Sequence, residues 1–187
     1  MGATESGKSY LATSIANRWD RVLVFDPKHQ DDLPNAAICY GIEAALKALP
    51  GRVVYRPLVH ELRDVAKHFD RAVEKIWHRQ GRCGILSHET YMLGDSDRGF
   101  EPYYSAAHTQ GRALFIPVLD CTQRPTAMPR VCISEATHFF CFFLADADDR
   151  KTAARYMGDQ VRQEMPFSHD FWYCGRDKTT VRVPAIA

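Results

Sequence analysis

No apolar run in these 187 residues approaches the ~20 needed to cross a bilayer, and no basic stretch followed by an apolar one opens the chain. Neither a membrane segment nor a secretory leader is expected, and the reading is a soluble cytoplasmic protein, in a host cytoplasm or a virion if viral. Cysteines are few: six, at 39, 83, 121, 132, 141 and 174, with no C-x-x-C pair and several inside apolar runs. They read as reduced thiols serving as small hydrophobes, and the eight scattered histidines give no zinc-ligand spacing. Excess charge is also missing. With 24 basic and 23 acidic residues the net charge is +1, so the surface is not coated in positive potential, although an assembly can still focus local charge in a pore. No repeat or low-complexity stretch divides the chain. Residues 1–187 are therefore expected to form one domain, and 45% hydrophobic content suffices for a core.

What is present begins at once. Gly2, Ala3, Thr4, Glu5, Ser6, Gly7, Lys8 and Ser9 spell G-x-x-x-x-G-K-S, followed by Tyr10. Glycines let such a loop curl until its N–H groups point at a β-phosphate. The lysine reaches the β- and γ-oxygens, the serine hydroxyl meets Mg²⁺, and the next helix adds its positive end. ATP with Mg²⁺ is the expected ligand, Gly2 to Tyr10 the site, and Ser9 the metal ligand. Such a loop ordinarily follows a buried strand, and Met1 leaves no residues for one. The first strand is expected to be absent, as in a chain cut at its N-terminus.

Beyond the loop, strand and helix alternate. This predicts an α/β fold of the RecA-like P-loop type, with a mostly parallel sheet flanked by helices and a C-terminal β-hairpin. Helix is expected over 7–18, strand over 21–25 and 53–56, and an amphipathic helix over 59–79 from Leu62, Val65, Ala66, Phe69, Val73, Ile76 and Trp77. Strands follow over 83–87, 114–121 and 138–144, the last apolar enough to be buried on both faces. A helix over 146–157 and a hairpin from 171–174 and 179–183 complete the pattern.

The run Cys83-Gly84-Ile85-Leu86-Ser87-His88-Glu89 is where the second half of an NTPase site is expected. Glu89 stands where a general base polarises water, the plainer alternative being a cap for the next helix. His88 occupies the place of an acidic residue that holds Mg²⁺ through its water shell, a job for which imidazole is poorly suited. Ser87 and Asp26 are the oxygen donors that could share it.

Thr109-Gln110-Gly111-Arg112, the strand after it, and Thr122-Gln123-Arg124-Pro125 form the most distinctive text. Together with Asp26-Pro27-Lys28 they resemble the FtsK/HerA superfamily of P-loop ATPases, and most of all its viral DNA-packaging members, from Gly2 to about Lys151. The resemblance implies an ATP-hydrolysing motor that translocates or packages double-stranded DNA as a homo-oligomeric, hexameric ring, with a capsid portal or vertex protein as a further partner and no membrane. It implies that Gln123 reports the γ-phosphate and orients water, although Gln123 also reads as a plain turn residue. It implies that Arg112 is an arginine finger acting on a neighbouring subunit, with Arg124 and Arg130 as competitors; each arginine alone reads as surface charge. Arg98 and Tyr103-Tyr104, between Glu89 and Arg112, are candidates for a DNA-facing pore, or for ordinary packing. Three other readings stay open: an assembly or secretion ATPase of the filamentous-phage toxin-like type, an inactive nucleotide-binding remnant and, more weakly, a P-loop kinase.

Overall fold

The structure is a computed structural model, and it describes every residue except Thr4, Gln80, Ser96, Glu164, 166–168 and 186–187. Helix α1 (Lys8–Ala16) leads to β1 (Val22–Phe25), whose four apolar residues are all buried. Next come β2 (Ala37–Tyr40), α2 (Ile42–Ala48), β3 (Arg52–Arg56), α3 (Val65–His78) and β4 (Gly84–Ser87). A two-stranded hairpin, β5 (Gly94–Asp95) and β6 (Gly99–Phe100), precedes α4 (Pro102–Gln110) and β7 (Val118–Asp120). The C-terminal part holds α5 (Arg130–Ser134), β8 (Phe139–Cys141), α6 (Ala147–Met157), β9 (Phe171–Cys174) and β10 (Thr180–Val183).

Five strands form a sheet in the order β2-β3-β1-β4-β7, every neighbouring pair parallel. β1 lies at its centre. Leu23 and Phe25 face the core made with α2, α3 and α4, while Val22 and Val24 face α1, so the strand is apolar throughout because both its sides are covered. On α3, Val65, Phe69, Ala72, Val73 and Ile76 are buried at the expected spacing.

Three expectations are corrected. The helix predicted over 59–79 is divided, with 3₁₀ turns over Val59–Asp64 before α3. Glu61 explains this: its buried carboxylate accepts from the Ile42 and Leu58 amides and from the Tyr55 hydroxyl, which ties the first turns to α2 and β3. The strand predicted over 114–121 shrinks to β7, because Gly111–Leu114 is a 3₁₀ turn and Phe115 adopts a left-handed φ of 54°. The strand predicted over 138–144 also shortens, to β8, with Phe140 and Phe143 only half-buried. It does not pair with the parallel sheet; it joins β9 and β10 in a separate antiparallel sheet, order β10-β9-β8.

Between the two sheets runs the start of the chain. The Met1 amino group donates to the Phe140 carbonyl at 2.7 Å, and the Phe142 amide donates back to Met1 at 2.9 Å. On the other side, the Gly2 amide donates to Thr122 at 3.0 Å, beyond the end of β7, while the Ala3 amide returns to the β8 side and donates to Phe143 at 2.8 Å. Among the described residues α1 is the first regular element. A cavity of about 860 Å³, lined in part by Met1, Ile15, Val118, Phe139 and Arg112, opens between β7 and β8.

Candidate nucleotide site

The phosphate loop is held by its own chemistry. Gly7 takes φ 93°, a left-handed conformation that favours glycine, directly before α1. A Cβ on Gly2 would lie 2.7 Å from both Phe142 Cβ and Ser6 Oγ, so only glycine lets the backbone pass there. Ser6 is buried, and its hydroxyl donates to the Ala3 carbonyl at 2.8 Å, closing the loop. Lys8 is buried at the helix start, whereas Ser9, Tyr10 and Glu5 are exposed. Ala3, Glu5, Ser6, Gly7, Lys8, Ser9 and Tyr10 all line one pocket of about 680 Å³; Thr4 lies outside the described residues. The size suits a nucleotide.

Glu89 and Gln123 line the same pocket. Ser87 ends β4, which places Glu89 just beyond the sheet, and Gln123 stands similarly after β7. Gln123 Nε2 donates to Glu89 Oε1 at 3.0 Å, and Lys28 Nζ forms an ion pair with the same oxygen. Glu89 Oε2 is buried with no hydrogen-bond partner among the described residues. Although Glu89 occupies the cap position of the 3₁₀ turn Thr90–Met92, its side chain makes no capping bond, so the plainer reading fails.

His88 has a dedicated partner. Its Nε2 lies 2.6 Å from Asp31 Oδ2, and both residues are buried. Burial opposes protonation of the ring, but the Asp31 carboxylate and the nearby Cys121 sulfur outweigh it and raise the pKa from 6.5 to about 9. An imidazolium at neutral pH repels a metal ion. Asp31, already paired with His88, offers a carboxylate there, and it accepts from Thr13 at 3.3 Å, one helical turn beyond Ser9. Ser9 and Asp31 line the pocket together and are hard oxygen donors, so the residues present fit Mg²⁺. Asp26 is otherwise engaged, accepting from Arg56 at 3.0 Å and from the Gln30 and Asp31 amides. Ser87 is completely buried and does not line the pocket.

Behind Glu89 and Gln123 lies a polar cluster. Asp120, the last residue of β7, accepts from Tyr104, from Thr90 at 3.3 Å and from His108 at 2.7 Å. Burial alone would raise the Asp120 carboxyl, but the His108 ring and the two hydroxyls hold it below its usual value. Cys132 completes a His/Asp/Cys group whose ligand atoms lie within 4.8 Å of one another, a juxtaposition the sequence spacing did not foreshadow. Both His108 nitrogens and both Asp120 oxygens already have protein partners, so the group reads as a brace that ties β7 to α4 and to the turn after β4.

Several residues fall elsewhere. Arg112 is exposed on the Gly111–Leu114 turn and lines the cavity between β7 and β8, away from the nucleotide pocket. Arg124 and Arg130 are exposed and line neither cavity. Tyr104 is buried in the core, packed on Phe69 and Phe100, and is unavailable to DNA; Tyr103 is partly buried against His78. Burial of Tyr104 against Phe69 of α3 is the physical reason the pore reading fails at that residue. Arg98 stays exposed beside the β5–β6 turn. The C-terminal hairpin, which carried little information in the sequence, contributes Phe171 to the nucleotide pocket beside Phe142 and His169. The sequence reasoning also missed Asp31 and Lys28 as site residues, because neither belongs to a spacing pattern with Glu89.

No family model matches the chain. The DNA packaging ATPase P9 of Enterobacteria phage PRD1 is 32% identical over 110 residues, 58% of this chain and 44% of that protein. The chain thus spans less than half the length of the curated relative it matches. Among solved structures, the genome packaging NTPase B204 of Sulfolobus turreted icosahedral virus 2 in complex with ATP-gammaS superposes with a TM-score of 0.78 at 14% identity, covering 100% of this chain and 95% of that one. The chain has the fold of a viral genome-packaging NTPase. The complex of the same protein with AMPPCP agrees, with a TM-score of 0.77 at 15% identity over 99% of this chain and 95% of that one. The RecA-like P-loop architecture expected from the sequence is borne out, and the match takes in the C-terminal antiparallel sheet as well as the parallel one.

Proposed function

We propose that this chain is the ATPase domain of a viral packaging motor, coupling ATP hydrolysis to the movement of double-stranded DNA. The observation that carries the reading is the contact of Gln123 with Glu89, 3.0 Å, in the pocket that the phosphate loop lines. A carboxylate at one strand end and a neutral amide at the next, lining one pocket with Lys8, are the parts needed to orient water on a terminal phosphate. The relative in phage PRD1 is a DNA packaging ATPase and the B204 structures are genome packaging NTPases; the same activity is proposed here.

In this reading the Glu5–Ser9 amides cradle the β-phosphate and Lys8 neutralises the β- and γ-oxygens. Ser9 and Asp31 hold Mg²⁺, which when bound screens phosphate charge. Glu89 takes the proton of the attacking water, and Gln123 holds that water in line. Arg112, outside its own subunit's pocket, suits a finger that completes the site of a neighbour, which requires a ring; six subunits are proposed. Double-stranded DNA in the pore and a capsid portal or vertex protein are the proposed partners.

The test is ATP turnover with and without duplex DNA, for the wild type and Lys8→Ala. Turnover stimulated by DNA and abolished in Lys8→Ala is expected. Lys8-dependent hydrolysis indifferent to DNA would overturn the motor and leave a nucleotide binder; no nucleotide binding at all would overturn the site.

A further inference from the structure

Lys28 is the least buried of the charged groups that meet at Glu89. Its side chain is 41% exposed whereas that of Glu89 is 3% exposed, so the ammonium reaches from solvent onto a fixed carboxylate. Its backbone is anchored. Asp26, two residues earlier, is held by Arg56 and by the Gln30 and Asp31 amides, and the His29 amide closes a turn onto the Asp26 carbonyl at 3.3 Å. Only the four-carbon stem is free to swing, which a lysine does readily. Lys28 and Lys8 both line the nucleotide pocket.

Both contacts fall on Oε1 and leave Oε2 without a partner, but the ammonium's charge lowers the basicity of the whole carboxylate, so Glu89 paired to Lys28 is a poor proton acceptor. A γ-phosphoryl group carries more negative charge than one carboxylate and would enter the same pocket. Resting on the nucleotide-site reading above, we propose that Lys28 is a catalytic residue that exchanges partners during the cycle. It holds Glu89 while the γ-phosphate position is empty, and moves to the terminal phosphoryl oxygens when the triphosphate binds, releasing Glu89 to act as base. The water oxygen then forms a bond to phosphorus, and the bond from phosphorus to the β-γ bridging oxygen breaks with its electron pair leaving on ADP. The water proton passes to Glu89. When phosphate departs, Glu89 gives that proton to solvent and Lys28 returns. The base is thereby idle unless a triphosphate is present.

The test measures binding of ADP and of a β,γ-methylene ATP analogue to the wild type, Lys28→Met, Glu89→Gln and the double variant. In Lys28→Met the analogue should bind about 10- to 100-fold more weakly, the loss of one charge-assisted contact, with ADP affinity changed less than about twofold. Glu89→Gln, which removes the competing carboxylate, should tighten the analogue several-fold when Lys28 is present and not in the double variant. Lys28→Arg should keep part of the preference for the analogue. Unchanged analogue affinity in Lys28→Met, or an equal effect of Glu89→Gln in both backgrounds, would overturn the exchange while leaving the nucleotide site intact. Absence of Lys8-dependent binding in the wild type would overturn both.

Discussion

His88 Nε2 and Asp31 Oδ2 lie 2.6 Å apart in the buried floor of the nucleotide site, a pair that joins the end of β4 to the loop after β1. On sequence alone, His88→Asp would restore an acidic residue and ease Mg²⁺ binding. The pair sets a cost against that gain: without metal, aspartate at position 88 buries a second carboxylate beside Asp31 with no cation between them. His88→Asp should destabilise the metal-free fold by about 3 kcal/mol or more while lowering the Mg²⁺ requirement, since an imidazolium that repels the ion is replaced by a carboxylate. Urea unfolding without Mg²⁺ and a Mg²⁺ titration of turnover are the measurements; unchanged metal-free stability would mean that the pair does not hold β4 to the loop after β1.

The same pair makes stability depend on pH. The folded pKa of His88, about 9, lies above the ordinary 6.5, so the folded state binds more protons between those values. Its contribution is complete below pH ~6.5 and is lost as the pH rises through about 9, amounting to at most about 3 kcal/mol. Unfolding midpoints in urea from pH 6 to 10 should fall for the wild type and fall much less for His88→Asn. Parallel curves would remove His88 as the source.

Tyr104 should matter through Asp120 and not through DNA. Tyr104→Phe deletes a buried hydroxyl that donates to Asp120, and should cost about 1–3 kcal/mol. Its affinity for duplex DNA should stay at the wild-type value. A loss of DNA binding with unchanged stability would restore the pore reading for this residue.

Arg112 tests whether subunits share a site. Arg112→Ala should leave ATP affinity nearly unchanged and cut turnover by roughly a thousandfold. Mixing Arg112→Ala with Glu89→Gln subunits should recover part of the activity, since some interfaces then pair an intact Glu89 with an intact Arg112. Turnover per subunit that is independent of concentration, with no recovery on mixing, would move the role to Arg124 or Arg130.

Local chemistry made much of this molecule legible. The phosphate loop, the all-apolar β1 and the 3.6-residue spacing on α3 each declare themselves within a few neighbouring residues, because backbone conformation and burial on one face are set by nearby side chains. β2 and α2 escaped detection: β2 is an edge strand with three of four residues exposed, and α2 has seven residues, too short for a clear period. Glu61 delayed the start of a periodic helix through bonds to residues up to 19 positions away.

The sequence by itself determined that this is a P-loop α/β protein, which loop is its candidate phosphate site, and that Glu89 and Gln123 are its candidate reactive groups. Only the tertiary structure decided what those groups touch. Lys28 meets Glu89 from 61 positions away in the chain, and Asp31 meets His88 from 57 away. Parallel strands bring their C-terminal ends side by side whatever the length of the connections between them. The partners of a buried charge are therefore fixed by strand order, which leaves no local pattern in the sequence.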